Sequence, residues 1–347
     1  MSDRHIYDRS NAEQFAAFAD AVGDETPLYT RLGRAVVDDP GLLDLTSGTL
    51  PGQPAPNVLF AAVQYLLLGG APHELAAWYP GLSGTTPPSG DPVPAFADFC
   101  RSYEAELRRL ISTRRTQTNE VGRCLALLPA LAAVERRLAA PVRLIEIGAS
   151  AGLLLLLDRY HYTYGARTWG PTESPVRLTT ELRAGPPPLP AHLDIQDRVG
   201  IDLNPIDVTN PDDARWLEAL VWPGHETRQK QLRSALGVAV SDPPDLVAGD
   251  ALDVLPRILS DAPPGAVPVV YHSFALIQWS DDQRARLDRL LSTAGRRVVR
   301  IWLEWFGYQR NRPLIRLFDY PDGPADGERL GRFHHHGRWL EWGATGS

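Results

Sequence analysis

Lysine is almost missing from this chain: of 35 basic residues only Lys230 is lysine, and the rest are arginine. The bias travels with abundant Ala, Gly and Pro, the mark of a GC-rich genome, so a single arginine carries less functional weight than usual. Basic charge is also outnumbered. Thirty-five Lys and Arg against 42 Asp and Glu give a net charge of −7, which argues against a general nucleic-acid binder or a polybasic membrane surface. Cysteine is reduced to Cys100 and Cys124. Two isolated thiols make neither a disulfide framework nor a metal knuckle, and they suit a reducing cytosol. Long apolar runs are lacking too: the longest, Val58 to Ala71, contains Gln64 and is too short to cross a bilayer. The start carries Asp3, Arg4, Asp8, Arg9 and Glu13 where a leader would need an apolar run. These shortages predict a cytoplasmic protein with no membrane or nucleic-acid partner.

What is present suffices for a packed core. The 347 residues are 44% hydrophobic, which suggests about two domains at roughly 150 residues each. Residues 1–138 read as helical. Leu28, Leu32 and Val36, then Phe60, Val63 and Leu67, keep a 3.6-residue period. A long amphipathic helix is expected over 95–113 and another over 120–138. From Val142 the character changes to strands alternating with helices, at 142–147, 198–202, 245–248, 267–271 and 297–302, with helical stretches at 211–236, 251–259 and 281–293. This alternation predicts an α/β domain over 139–347 with a largely parallel sheet. Residues 160–182 read as an inserted hairpin, and the tail as a closing antiparallel hairpin.

The turn Gly148-Ala149-Ser150-Ala151-Gly152 admits three readings. As Gly-x-Ser-x-Gly it matches a nucleophile elbow, with Asp250 and His272 following in triad order. As a dinucleotide fingerprint it fails at Ser150. As the adenosyl-ligand turn of a methyltransferase-type fold it fits best. Glu146 ends the first strand, Gly148, Ala149 and Gly152 permit close backbone approach, and Asp202 ends the next strand, placed for ribose hydroxyls. Asp250, with the N–H of Ala251, would lie beside the adenine. The competing reading is that Asp202 and Asp250 merely cap helices.

The string Arg114–Arg123, together with Glu146–Gly152, Leu157–Tyr160, Gly200–Pro205 and Ala219–Pro223, resembles a largely actinobacterial family of unknown function. The resemblance runs from about Leu28 to Trp305 and implies a Rossmann-like, class I methyltransferase-type second half. Some relatives are linked to aziridine formation in specialised metabolism, alongside a small Src-homology-type barrel partner. That implies ring closure in place of methyl transfer. The turn departs from the family pattern at Leu154, where an Asn is usual.

Several residues are candidates for chemistry on a small-molecule substrate. Gln117, Asn119 and Glu120, with Arg115, suggest a polar substrate pocket between the two domains. Glu120 is either a general base there or a helix-start acid. Tyr271 and His272 follow the fourth strand, where a histidine could deprotonate an amine or hydroxyl. Glu304 and Trp305 follow the fifth and could shape a cation-holding pocket. Asp242-Pro243-Pro244-Asp245 precedes a strand and reads as a turn. His334-His335-His336 lacks partner ligands at metal spacing, and adjacent strand residues point apart, so no metal is expected. The chemistry expected is displacement at a saturated carbon. S-adenosylmethionine-dependent methyl transfer leads, ahead of adenosyl-independent ring closure with loss of sulfate and of a non-catalytic scaffold.

Overall fold

The computed structural model describes residues 9–82, 86, 88–138, 140–305 and 313–343. The chain forms two compact units: Met1–Thr118 with Asn210–Lys230, and Asn119–Thr209 with Gln231–Ser347. The boundary expected after residue 138 is therefore misplaced. Helix Cys124–Leu138 belongs to the second unit, and Asn210–Lys230 to the first. Cys124 through Ala132 are all buried, and a helix apolar all round needs cover on every side. The sheet supplies part of it.

The first unit is helical. Its main helices are Asn11–Val22, Pro27–Asp38, Ala55–Leu68, Val93–Ser102 and Glu104–Thr113, with Pro211–Ala219 added from later in the chain. The single helix expected over 95–113 breaks at Tyr103, whose φ of −116° and ψ of 26° leave the helical region. Phe15, Tyr29, Phe60 and Phe96 fill the core, with Tyr29 and Phe60 stacked at 4.4 Å. Gln64, the lone amide in the apolar run, accepts from the Tyr29 hydroxyl at 2.9 Å and donates to the Val221 carbonyl at 2.8 Å. A buried amide so satisfied costs little.

Among the described residues, the second unit carries one sheet of eleven strands. They are β1 (Val142–Ile147), β2 (His161–Tyr164), β3 (Arg167–Trp169), β4 (Arg177–Ala184), β5 (Ile195–Asp202) and β6 (Leu246–Ala248). After these come β7 (Val267–His272), β8 (Val298–Glu304), β9 (Leu314–Tyr320), β10 (Glu328–Phe333) and β11 (Trp339–Trp342). The order is β3-β2-β4-β11-β10-β9-β8-β7-β1-β5-β6. Strands β6, β5, β1, β7 and β8 are parallel, and β9, β10 and β11 continue antiparallel. This is a Rossmann-like α/β arrangement. Strand order reverses at β1, so the switch point lies where Ile147 ends, and ligands of open α/β sheets bind beyond such carboxyl ends.

Several local expectations change. The tail is three strands, not one hairpin. The 160–182 insertion is a β2–β3 hairpin plus β4, which runs parallel to both β2 and β11 and so extends the sheet. The 211–236 stretch splits into Pro211–Ala219 and Glu226–Ser241 around Trp222-Pro223-Gly224, since proline cannot continue a helix. Residues 120–138 open with a 3₁₀ turn at Val121–Arg123, and the helix after the glycine turn is 3₁₀ over Leu153–Arg159. Helices Ala251–Ser260 and Asp281–Ser292 cover the sheet face that carries Ile145, Ile147, Val270 and Trp302. By the period of two, Glu146 and Tyr271 stand on the opposite face.

Candidate functional site

Past the end of β1 the chain turns back through left-handed residues, Gly148 (φ 75°), Ser150 (φ 53°) and Gly152 (φ 69°). Asn119 clamps this turn from below. Its Nδ2 donates to the Ala149 carbonyl at 3.1 Å and its Oδ1 accepts the Leu153 N–H at 2.9 Å. Asn119 is thus a part of the turn's framework, a role the sequence did not suggest. Asp202, at the end of β5, accepts the Ser150 N–H on Oδ2 and the Asn204 N–H on Oδ1, each at 2.8 Å. A Cβ on Gly148 would stand 2.5 Å from that of Ala275, and one on Gly152 2.7 Å from Pro244. The close approach that glycine permits is used here against the protein itself.

The other acids are committed as well. Asp250 caps helix Ala251–Ser260 by accepting the Leu252 N–H at 2.8 Å, and Ala251 is buried as that helix's first residue. Glu146 is only 2% exposed and accepts the Tyr271 hydroxyl at 3.2 Å. Burial pushes its pKa well above the usual carboxylate range; the Tyr271 bond and the Arg123 charge oppose that rise. An adenosyl ligand wants a carboxylate open to its ribose diol and a bare glycine surface. The donor chemistry is right, but both Asp202 oxygens and both glycine surfaces are engaged. Leu154, at the position where an Asn is usual, is core.

On the opposite face, β7 and β8 end in His272 and Glu304, whose side chains are both fully buried. His272 Nδ1 lies 2.6 Å from Glu304 Oε1, which also accepts the N–H groups of Ala275 and Leu276 at 2.9 Å each. Among the described residues, His272 Nε2, Glu304 Oε2 and Trp305 Nε1 have no hydrogen-bond partner. Such atoms are rare in native proteins and call for an explanation. With Nδ1–H donated to the carboxylate, Nε2 is the basic nitrogen. Burial lowers the His272 pKa, against the pull of Glu304, so the ring is neutral at pH 7 and able to accept a proton.

The loop after β7 is held in a strained form. Phe274 has a φ of 58°, uncommon for a bulky residue. Arg123 secures it: its guanidinium donates to the Ser273 carbonyl at 3.0 Å and the His335 carbonyl at 3.3 Å, and sits 4.6 Å from the Phe274 ring centre. The Trp305 ring stands 5.1 Å from that of Phe274.

The structure does not bring the expected residues into one group. Glu146 and Tyr271 lie on one sheet face, His272 and Glu304 on the other. Gln117 falls in the first unit, Asn119 and Glu120 in the second. Glu120 accepts the Gly122 N–H at 3.2 Å and starts a 3₁₀ turn, the plainer of its two readings. Arg115 contributes its carbonyl, which accepts from Trp216 Nε1 at 2.7 Å. Ser150 shares the positive φ of a nucleophile elbow, but no triad forms: His272 turns to Glu304, and Asp250 caps its helix. Pro244 of the Asp-Pro-Pro-Asp turn packs on Gly152. The three histidines do not alternate as strand residues would. They lie in the turn after β10, with rings of His334 and His335 4.4 Å apart and those of His335 and His336 4.0 Å apart.

Residues 12–342 match the family described as "Uncharacterized protein conserved in bacteria (DUF2332)", and the chain belongs to it. None of the curated proteins matches the chain. Among the described residues, no helix is long and apolar enough to cross a membrane.

Proposed function

We propose that the second unit is an enzyme of displacement at a saturated carbon, with His272 as the base that relieves the attacking amine or hydroxyl of its proton. The observation that carries this reading is the His272–Glu304 pair at 2.6 Å, one strand from the switch point, with Nε2 unpartnered among the described residues. A carboxylate that fixes the imidazole tautomer and leaves the far nitrogen for the substrate is the arrangement of a histidine base. Such a base contributes roughly 10²–10⁴-fold to rate, and orientation of the reacting atoms adds more.

The version best supported needs no adenosyl cofactor. The nitrogen of a vicinal amino sulfate attacks the neighbouring carbon, whose C–O bond breaks. The bonding pair leaves with sulfate, and the nitrogen's proton passes to His272 Nε2. A three-membered ring results. Methyl transfer is the second reading, favoured by Glu146, Asp202 and Asp250 closing the neighbouring strands β1, β5 and β6. S-adenosylmethionine would supply an activated methyl group, with Asp202 and Glu146 as its ligands. The engagement of Asp202 with two main-chain N–H groups weighs against it.

Two measurements on the purified protein separate the readings: sulfate release from a 2-aminoalkyl sulfate, and melting with S-adenosylmethionine or its demethylated product. Sulfate release without cofactor, with no melting shift, is the expected result. Saturating ligand at about 100 times its dissociation constant would stabilise by about 2.7 kcal/mol. A rise of several degrees without sulfate release would put methyl transfer in first place.

A further inference from the structure

Strand β8 turns Arg300, Trp302 and Glu304 to one side, at a period of two. Arg300 pairs with Val270 of β7 and Phe318 of β9, and Trp302 pairs with His272. Residues directly paired across strands share a face, so Arg300 stands on the side of the His272–Glu304 pair. It is only 2% exposed. Its guanidinium carbon lies 4.1 Å from the Phe318 ring centre, 5.5 Å from that of Trp302 and 5.7 Å from that of Tyr320. Arg300 Nη2 is 2.9 Å from Asp288 Oδ1, on helix Asp281–Ser292. The same carboxylate oxygen accepts the Tyr320 hydroxyl at 2.7 Å. Among the described residues, Arg300 Nε has no hydrogen-bond partner.

A guanidinium at this depth is not what packing asks for. Hydrophobic residues of similar volume in place of a buried ion pair are often neutral or stabilising, and Trp302, Phe318 and Tyr320 belong to the apolar cluster of this face. What Arg300 faces across Trp302 is the histidine. The His272 ring stands edge-on to Trp302, 4.8 Å between centres, so imidazole and guanidinium are no more than about 10 Å apart. Buried charges at that range are screened much less than exposed ones. After burial itself, three charges act on His272: Glu304 favours its protonated form, Arg300 opposes it, and Asp288 favours it. Other charged groups on this side are turned elsewhere. Arg284 donates to the Leu276 carbonyl and Asp281, Arg316 to the Asp326 carbonyl, and Arg123 to the Ser273 and His335 carbonyls. On the two covering helices Asp253, Arg257, Asp282, Arg286 and Arg289 are exposed.

We propose that Arg300, facing His272 across the Trp302 ring, is a positioning residue for the base: its fixed charge keeps the imidazole beside Glu304 in the neutral form that accepts a proton. The inference rests on the displacement reading and deepens it, by naming what sets the working pH of that site. A carboxylate 2.6 Å from Nδ1 orients the ring, but it also draws a second proton onto Nε2, and an imidazolium is no base. A like charge on the far side of the indole works against that protonation and leaves the Glu304 bond in place. Arginine suits the task because its guanidinium stays charged when buried and stacks on aromatic faces. Asp288, half-exposed, moderates the effect from the rim of the cluster.

Long-range proton–nitrogen NMR correlations of the full chain read the ring directly, with the His272 signals assigned by their loss in His272→Asn. In the parent, the proton is expected on Nδ1, with titration below the ordinary value of about 6.5. Arg300→Met should raise that titration by about one pH unit, and the acid limb of amino sulfate turnover should move up with it. Arg300→Lys, which keeps a charge, should bring both back toward the parent. Asp288→Asn keeps an acceptor for Tyr320 and should move the titration the other way. Its site is half-exposed, so this variant serves if Arg300→Met does not fold. A His272 titration indifferent to the folded variants overturns the inference, and so does a shift of the same sign in Arg300→Met and Asp288→Asn, which would report loosened packing. If the titration is indifferent while His272→Asn abolishes turnover, the role of Arg300 falls and the displacement reading stands. If the titration moves as expected while His272→Asn turns over normally, the displacement reading falls and Arg300 still governs the histidine.

Discussion

Glu146 and Glu304 both sit at the carboxyl ends of parallel strands, both shut away from water, on opposite faces of one sheet. Among the described residues Glu146 accepts one hydrogen bond, from Tyr271 at 3.2 Å, and burial drives its pKa up. Glu304 accepts three donors on one oxygen, at 2.6, 2.9 and 2.9 Å. The difference lies in the loops. The loop after β7 bends through the left-handed Phe274 so that two N–H groups reach Glu304, and among the described residues nothing equivalent serves Glu146. A buried carboxyl with few donors is favoured in its neutral form, and convergent donors hold a side chain in one orientation. The Glu304 face is therefore built to orient a base, and the Glu146 face to bury a neutral acid in the framework.

The sharpest way to break this comparison is to remove each face's acid-base group in turn. His272→Asn should cut turnover of the amino sulfate by about 10²-fold or more, while Glu146→Gln should leave it within a few-fold. Equal losses in steady-state rates would mean that both faces serve the chemistry. The pH profile sharpens the point. Because burial lowers the His272 pKa, the basic form persists below the ordinary value of about 6.5. The acid limb of the rate should therefore lie below that pH.

Much of this was legible in the sequence, and the illegible part has a physical reason. The strands over 142–147 and 267–271 showed themselves by apolar runs bounded by turn residues, and Glu146, Asp202, His272 and Glu304 stood at strand ends as expected. Which of those ends meet was hidden, because side chains one residue apart face opposite ways and strand order is set by packing. Tyr271 and His272 are neighbours in sequence and belong to different clusters. Asn119 gave no sign of its grip on Ala149 and Leu153, about thirty residues away. Arg123 lay inside the most distinctive string, yet its work on the Ser273 carbonyl depends on a loop 150 residues further on. Helix Cys124–Leu138 looked like its helical predecessors and packs with the sheet.

Asn119 should matter next most, through stability. Asn119→Ala leaves the Leu153 N–H buried without its acceptor, while the Ala149 carbonyl keeps the Gly152 N–H at 2.7 Å. The orphaned N–H costs about 1–3 kcal/mol. Urea melts should show a lower midpoint with an unchanged slope. No change in midpoint would mean that the turn holds itself.

Glu146→Gln should act in the opposite direction, by a smaller amount. A carboxyl whose folded pKa is raised binds its proton more tightly in the native state. Its contribution is fully present below the unfolded value of about 4.3 and is lost as pH rises through the folded pKa. Glutamine keeps an acceptor for Tyr271 and cannot ionise. The variant should therefore melt higher than the parent at alkaline pH, by about 2–4 °C per kcal/mol, and the gap should close on acidification. A constant gap across pH would mean that Glu146 ionises freely in the native state.

The smallest effect is expected at Ser150, and it tests whether the Glu146 face carries any catalysis of its own. Its φ of 53° places it in the left-handed region, which costs a residue with a Cβ roughly 1 kcal/mol. Its main chain serves the turn at both ends, with the N–H donated to Asp202 at 2.8 Å and the carbonyl accepting from Ile206 at 3.1 Å. Neither bond needs the hydroxyl. Ser150→Gly should thus keep both and relieve the strain. Glycine's greater freedom in the unfolded chain offsets part of that, about 0.4–1 kcal/mol. The melting point should move by no more than a degree or two, and turnover should not move at all. Ser150→Ala, which keeps the Cβ and the strain, separates the hydroxyl from the backbone. If either variant loses several orders of magnitude in rate while still folded, Ser150 is a nucleophile, and the division of labour between the two faces is wrong.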